Sequence, residues 1–336
     1  MPGKRDNIGD VNYESDAIAV REHYATLFDN LFLPQGLALH SSLERYAGDY
    51  CLWVLCMDST AFDVLKEFNL PNVELMRLED METAELRRVR PSRTAGEYCW
   101  TLTPFVPGFV FDRDASVERV TYLDADVCLL RSPAPVFAEF ATSSKSVLIT
   151  EHAYAPEYDQ TAKSGRFCVQ FMTFRRDGGE RVRQWWADRC LEWCFARVEN
   201  GKFGDQKYLD DWPTRFGNDV HVASELSHFQ APWNAIQLDA SEAVMFHFQG
   251  LRLLRDKYVQ IAPSFYEIPR LTIDTIYRPY LKDLVSALDM LERTGIRARP
   301  QDDTPVVWLK CRNLAMRLSH SGFRAGTTVH IQPLQT

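Results

Sequence analysis

The sequence predicts an α/β protein in which a Rossmann-like sheet flanked by helices presents a polar site at its strand ends. Three observations predict it. Tyr50 to Met57 reads Tyr-Cys-Leu-Trp-Val-Leu-Cys-Met, an unbroken apolar run of the kind that is buried on both faces of a parallel sheet. Strand-like and helical stretches alternate with short connections, from a strand near His23 to Phe28, through a helix at Pro34 to Tyr46 and a helix at 60–68, to a strand at 73–78. The third is Arg119-Val-Thr-Tyr122-Leu-Asp124-Ala-Asp126-Val127, an apolar strand that ends on two carboxylates, where open α/β sheets keep their ligand site.

Composition excludes several classes. At 336 residues, with 46% hydrophobic and 25% charged positions, the chain has material for one large α/β domain and an appendage. Thirty-eight basic residues stand against 46 acidic ones, a net charge of -8, and no Lys/Arg tract marks a nucleic-acid partner. The eight cysteines lie in apolar contexts with no Cys-x-x-Cys pair, which reads as buried thiols in a reducing compartment. No apolar run approaches the roughly 18 residues of a membrane span. The expectation is therefore a cytoplasmic protein, soluble or attached at the inner face of a membrane.

Further along, strands are expected at Ser146 to Thr150 and Arg166 to Phe174, and a helix at about Gly179 to Phe195. In that helix Val182, Trp186, Cys190, Trp193 and Cys194 recur at helical spacing, the mark of a core-facing stripe. Gly204 and Asp205 open a short helix that Pro213 is expected to close, with Asp205 in the position of an ordinary N-cap. Ala243 to Gly250 is strand-like, and His247 on it is ordinarily a hydrogen-bonded core residue. Gly250 allows close backbone approach. Arg90 and Arg93 flank a Pro-Ser turn; an arginine there either neutralises a diphosphate or faces solvent.

Asp124 and Asp126 are two apart, so at a strand end they share a face or converge on one divalent cation. Carboxylate oxygens favour Mg²⁺ or Mn²⁺ over Zn²⁺. The same triplet also occurs as a plain solvated turn.

Together these pieces resemble the GT-A glycosyltransferases, in particular the retaining group of family eight, which includes glycogenin and the bacterial lipopolysaccharide galactosyltransferases. The matching motifs are Tyr122-Leu-Asp124-Ala-Asp126 with Arg131-Ser-Pro133, then Gly204-Asp205-Gln206, then His247-Phe-Gln-Gly250, in the family's order over about 22–255. The resemblance implies a GT-A catalytic domain at 18–255; the polar residues 1–17 before it read as a flexible N-terminus, and the pattern from 256 reads as a mainly helical C-terminal region (256–336). It implies that Asp124, Asp126 and His247 hold Mn²⁺ or Mg²⁺ against the diphosphate of a nucleotide-sugar, most simply a UDP-sugar. Donor contacts are implied at Thr26, Phe28, Arg93, Tyr122, Cys168, Gln170, Asn234, Gly250 and Arg252, and Asp205 and Gln206 fall beside the anomeric carbon. The acceptor is then a saccharide or lipid-linked hydroxyl. Two departures stand out: Phe167-Cys168-Val169-Gln170 replaces the family's Phe-Asn-x-Gly, and Leu253 stands where the family has lysine, with Arg252 beside it.

Two rivals use the same residues. An apolar strand ending Asp-x-Asp also suits a haloacid dehalogenase-type phosphatase, but that family places its nucleophile strand near the start of the core, and here at least three strand-helix units precede it. The changed Cys168 and Gln170 also fit a catalytically inactive nucleotide-sugar-binding protein. Residues 304–336 carry Lys310, Arg312, Arg317 and Arg324 with no acid, so this tail is either a helical cap or a surface for anionic lipid.

Overall fold

The computed structural model describes residues 21–255, 258–263, 265–301 and 328–330. The expected flexible N-terminus and all but three residues of the basic tail lie outside them.

The expected alternation opens the fold. Strands β1 (Glu22–Phe28), β2 (Tyr50–Cys56), β3 (Val73–Arg77) and β4 (Arg119–Leu123) are followed by β5 (Val127–Leu129), β6 (Val147–Glu151), β7 (Phe167–Arg175) and β8 (Val220–Val222). All but β5 form one seven-stranded sheet in the order β3-β2-β1-β4-β7-β6-β8. The block from β3 to β4 is parallel, while β7 runs antiparallel to both of its neighbours, so the sheet is mixed. All seven residues of β2 are buried, as its unbroken apolar run requires. The chain builds outward from β1 to β2 and β3, then returns to lay β4 on the other side of β1. That reversal creates a crevice at the carboxyl ends of β1 and β4, and Asp124 follows the last residue of β4 directly.

A second sheet completes the crevice. Strands β9 (Phe229–Gln230) and β10 (Met245–His247) join β5 in the order β5-β10-β9. β10 is antiparallel to β5 with His247 opposite Val127, so the register sets the histidine beside the Asp-x-Asp turn. The expected strand at Ala243 to Gly250 is thus shortened to Met245–His247, and Gly250 turns the chain beyond it with a left-handed φ of 79°.

Several helices differ from their expected limits. Helix Arg176–Glu192 is interrupted at Asp177 and Gly178, so its regular part starts at Gly179 as expected, but it stops before Phe195 where Trp193 turns extended. Its apolar stripe is core: Val182, Trp186, Cys190 and Cys194 are fully buried. Pro213 does not close the turn after Gly204. A 3-10 helix, Gln206–Asp211, runs directly into helix Trp212–Arg215, where Pro213 occupies the first turn and its missing N–H costs nothing.

The region after 255 is not purely helical. β11 (Arg252–Leu253), β12 (Tyr258–Gln260) and β13 (Thr328–His330) form a small antiparallel sheet. Helix Arg278–Arg293 then packs on helix Leu33–Tyr46 of the first βα unit. Ala287 and Leu291 enter the core of the main sheet, and Arg45 pairs with Asp283 at 2.5 Å. The C-terminal helix therefore shares the core of the main sheet. Among the described residues, no helix is long and apolar enough to cross a membrane.

Candidate metal and donor site

The strand β4 ends where its apolar run ends, and Asp124 and Asp126 occupy the turn into β5. Asp124, Asp126 and His247 each bring a ligand atom within 4.8 Å of the others. His247 Nε2 lies 3.1 Å from Asp126 Oδ1 and 3.8 Å from Asp124 Oδ2. Its other ring nitrogen, Nδ1, is 2.9 Å from Gln170 Oε1. An amide oxygen only accepts, so Nδ1 carries the proton and Nε2 is turned to the carboxylates, the orientation a ligating imidazole needs. The His247 side chain is 9% exposed and that of Asp124 is 24% exposed, so the site is set into the protein but reachable.

Electrostatics show a site short of positive charge. Burial, with repulsion from Asp126 and against the pull of His247, pushes Asp124 up to about 7. Burial acts the same way on Asp126, but the charge and hydrogen bond of His247, helped by Arg252, hold it below the usual carboxylate range. Burial disfavours charge on His247 too, yet Asp126 and Asp124 raise it well above its ordinary value. Two half-buried carboxylates facing one buried histidine are a donor set that fits a divalent cation.

Around this centre, the structure brings together Tyr122, Cys168, Gln170, Asp205 and Arg252. The Tyr122 hydroxyl donates to Asp124 at 3.1 Å. Burial alone would raise the Cys168 thiol, but His152 and His247 beside it bring it down to about 6. Gly204 has a φ of 53°, which a side chain would strain, and it aims Asp205 inward. Asp205 is 2% exposed, its Oδ2 has no hydrogen-bond partner among the described residues, and its side chain does not cap the following helix. Burial and the neighbouring Asp124 raise this carboxyl well above its ordinary range. The Gln170 amide nitrogen is likewise buried without a partner. Orphaned buried polar atoms are costly unless a ligand meets them.

The other expected contacts are placed differently. Thr26 is fully buried in β1 with its hydroxyl unpartnered, but the Phe28 ring is packed into the core over Gly36. Asn234 is committed within the chain: its amide donates to the carbonyls of His152 and Phe229, both at 3.0 Å, and its oxygen accepts from Ala231. Arg93 stacks 3.9 Å over Phe195 and donates to the Leu191 carbonyl. Gln206 donates to the Ser164 carbonyl at 2.7 Å, tying its loop to the approach to β7. At Gly250 a Cβ would lie 2.4 Å from the Pro263 ring, so the close approach there is to the chain itself.

Sequence reasoning misses His152, Tyr154 and Trp233. His152 stacks on Tyr154 at 4.6 Å, and Trp233 meets the His247 ring edge-on at 5.5 Å. A lone histidine after a strand and single aromatics in loops carry no spacing signal; only the tertiary fold gathers them.

Gln170 gives a sharp test. Gln170→Leu keeps the bulk but removes the acceptor that fixes His247, and Mn²⁺ affinity is expected to fall by roughly 10- to 100-fold. Calorimetric titration with Mn²⁺ measures it, and an unchanged affinity would show that His247 is oriented without Gln170.

No protein-family model matches the chain. It is 29% identical over 289 residues to the uncharacterized protein YfnD of Bacillus subtilis (strain 168), covering 80% of this chain and 91% of that one. The uncharacterized protein YfnF of the same organism is 27% identical over 279 residues, 78% of this chain and 91% of that one. Among solved structures, mouse xyloside xylosyltransferase 1 is similar at TM-score 0.45 and 14% identity over 68% of this chain and 97% of its own. The Streptococcus pneumoniae TIGR4 glycosyltransferase GlyE is similar at TM-score 0.47 and 12% identity over 84% and 66% of the two chains. The bifunctional glycosyltransferase WbbM gives TM-score 0.49 and 14% identity over 84% of this chain and 53% of that one.

Proposed function

We propose that the chain is a metal-dependent glycosyltransferase of the GT-A kind, moving a sugar from a UDP-sugar to a hydroxyl of a saccharide or lipid-linked acceptor, with retention at the anomeric carbon. The observation that carries this reading is the convergence of Asp124, Asp126 and His247 at the carboxyl end of β4. Mn²⁺ or Mg²⁺ held there would neutralise the donor diphosphate, including the charge that grows on it as the glycosidic bond breaks.

The chain's own groups supply the rest. Arg252, close enough to Asp126 to stabilise its charge, adds a cation where phosphate would lie. The unpartnered Asp205 Oδ2 and Gln170 amide are free to bind sugar hydroxyls, and rigid placement of donor and acceptor is itself catalytic. An Asp205 carboxyl whose ionisation is disfavoured by burial is a poor nucleophile. Attack by the acceptor hydroxyl on the face the nucleotide leaves, with the proton passing to a departing phosphate oxygen, is therefore the step these residues suit.

Titration of UDP, GDP, ADP and CMP into the protein tests the reading: UDP is expected to bind only when Mn²⁺ is present. Equal binding without metal, or no binding by any nucleotide, would overturn it. Slow Mn²⁺-dependent release of UDP from UDP-sugars separates a working enzyme from an inactive binding protein. Metal binding must also displace protons from Asp124 and His247, so Mn²⁺ affinity is expected to rise from pH 6 to pH 8. A flat profile over that interval would contradict the ligand set.

A further inference from the structure

A cavity of about 510 Å³ opens between the segment after β6, which carries Glu157, Tyr158 and Asp159, the loop at Ile236, and the loop bearing Phe265 and Glu267. Two aromatic clusters on shared chain segments lie between it and the candidate metal centre. Trp233 touches the His247 ring and lies 6.1 Å from Tyr154. Tyr158 follows Tyr154 by four residues on the same segment. Tyr266 in turn meets Tyr158 edge-on at 5.1 Å and Phe265 at 4.2 Å, and accepts a hydrogen bond from Gln160. This wall is rigid, since the Glu267 N–H also donates to the Tyr158 hydroxyl at 2.9 Å.

One member of the wall is out of place for a core. Phe265 is 55% exposed, a large apolar ring turned to solvent at the mouth of a polar cavity. An exposed ring ringed by carboxylates matches a pyranose, whose C–H face stacks on an aromatic while its hydroxyls donate to acids. Glu157, Asp159 and Glu267 line the cavity and, among the described residues, no lysine or arginine does, so its field disfavours anionic sugars.

We infer that this cavity is an outer acceptor subsite, in which Phe265 and the carboxylates around it hold an uncharged sugar unit of an oligosaccharide, removed by one or more units from the hydroxyl that is glycosylated. The inference rests on the transferase reading, which it deepens by naming the acceptor as a neutral oligosaccharide. The segment from Tyr154 to Tyr158 and the loop from Trp233 to Ile236 lead from His247 to this cavity, whose lining holds none of Asp124, Asp126 and His247.

Saturation-transfer NMR on the full chain with Mn²⁺ and UDP tests it, using maltose, cellobiose and lactose as neutral probes and a glucuronate-containing disaccharide as the anionic one. At least one neutral disaccharide is expected to show transfer to its ring C–H protons, the anionic probe none, and Phe265→Ala is expected to weaken the neutral ligand roughly five- to tenfold. Because Phe265 is largely exposed, that variant is expected to keep its melting temperature and its Mn²⁺-dependent UDP binding. Absence of transfer from every neutral probe, equal transfer in Phe265→Ala, or equal binding of the anionic probe would overturn the subsite. If UDP still binds with Mn²⁺ in that case, the subsite alone fails; if UDP does not bind either, the transferase reading fails with it.

Discussion

Asp126→Ala is expected to abolish the rise in melting temperature that Mn²⁺ and UDP together are expected to give the wild-type protein. A ligand at 100 times its Kd stabilises a folded protein by about 2.7 kcal/mol, an effect that disappears with the site. Asp126 is the carboxylate nearest His247, at 3.1 Å, and the one whose charge the surroundings favour, so its loss removes the ligand most ready to bind. Any UDP-sugar turnover is expected to fall by roughly a thousandfold, the equivalent of about 4 kcal/mol of transition-state stabilisation. The metal-free variant should melt close to the wild type. The backbone carbonyl of Asp126, which accepts from the Phe248 N–H at 2.8 Å, is untouched by the substitution, and Asp124, 3.8 Å from His247, remains as a counter-charge to the imidazole. A variant that melts normally and still shifts with Mn²⁺ and UDP would show that Asp126 is not a ligand.

Trp186 carries the second large effect. Its ring is fully buried, edge-on to Trp212 at 5.6 Å and stacked near Phe174, and its indole N–H donates to the Asp205 carbonyl at 2.8 Å. Trp186→Ala is expected to cost about 3–5 kcal/mol in urea unfolding, from lost burial and the cavity left behind. Trp186→Phe separates the two roles. It keeps most of the packing but leaves the Asp205 carbonyl without its partner, a loss of about 1 kcal/mol. Turnover is expected to drop further than stability does, because the turn that aims Asp205 at the site is loosened. Proportionate losses in both would mean that Trp186 is core and nothing more.

These two residues also show how far the sequence carries. Asp124 and Asp126 are legible because an apolar run ends on them, and the buried β2 is legible because nothing polar interrupts it. The Trp186 stripe is legible as core from its spacing, but its bond to Asp205 is not, since a hydrogen bond across chain-distant elements leaves no periodicity. Pro213 misleads because proline marks both the end of one helix and the first turn of the next, and only the 3-10 geometry at Gln206–Asp211 decides. β11 and β12 are too short to show alternation. Phe28 and Asn234 stand at the expected places along the chain, yet packing over Gly36 and hydrogen bonds to His152 and Phe229 occupy their side chains, which position alone does not reveal.

The pairing of β10 with β5 ties the order of assembly to the appearance of the metal centre. Asp124 and Asp126 emerge with the first half of the sheet, but His247 arrives only after β6, β7, β8 and β9. Bridging the two by a metal closes a long loop, and the chain entropy of that closure is lost before the contacts that reward it form. A nascent chain that has made only β1 to β4 therefore holds two carboxylates with no imidazole and binds the ion weakly. Under the proposed function, metal capture would signal that the second sheet has docked, and an ion held by Asp124, Asp126 and His247 would tie the two sheets together, so protease cleavage between β7 and β9 is expected to slow in the presence of Mn²⁺ more than cleavage elsewhere.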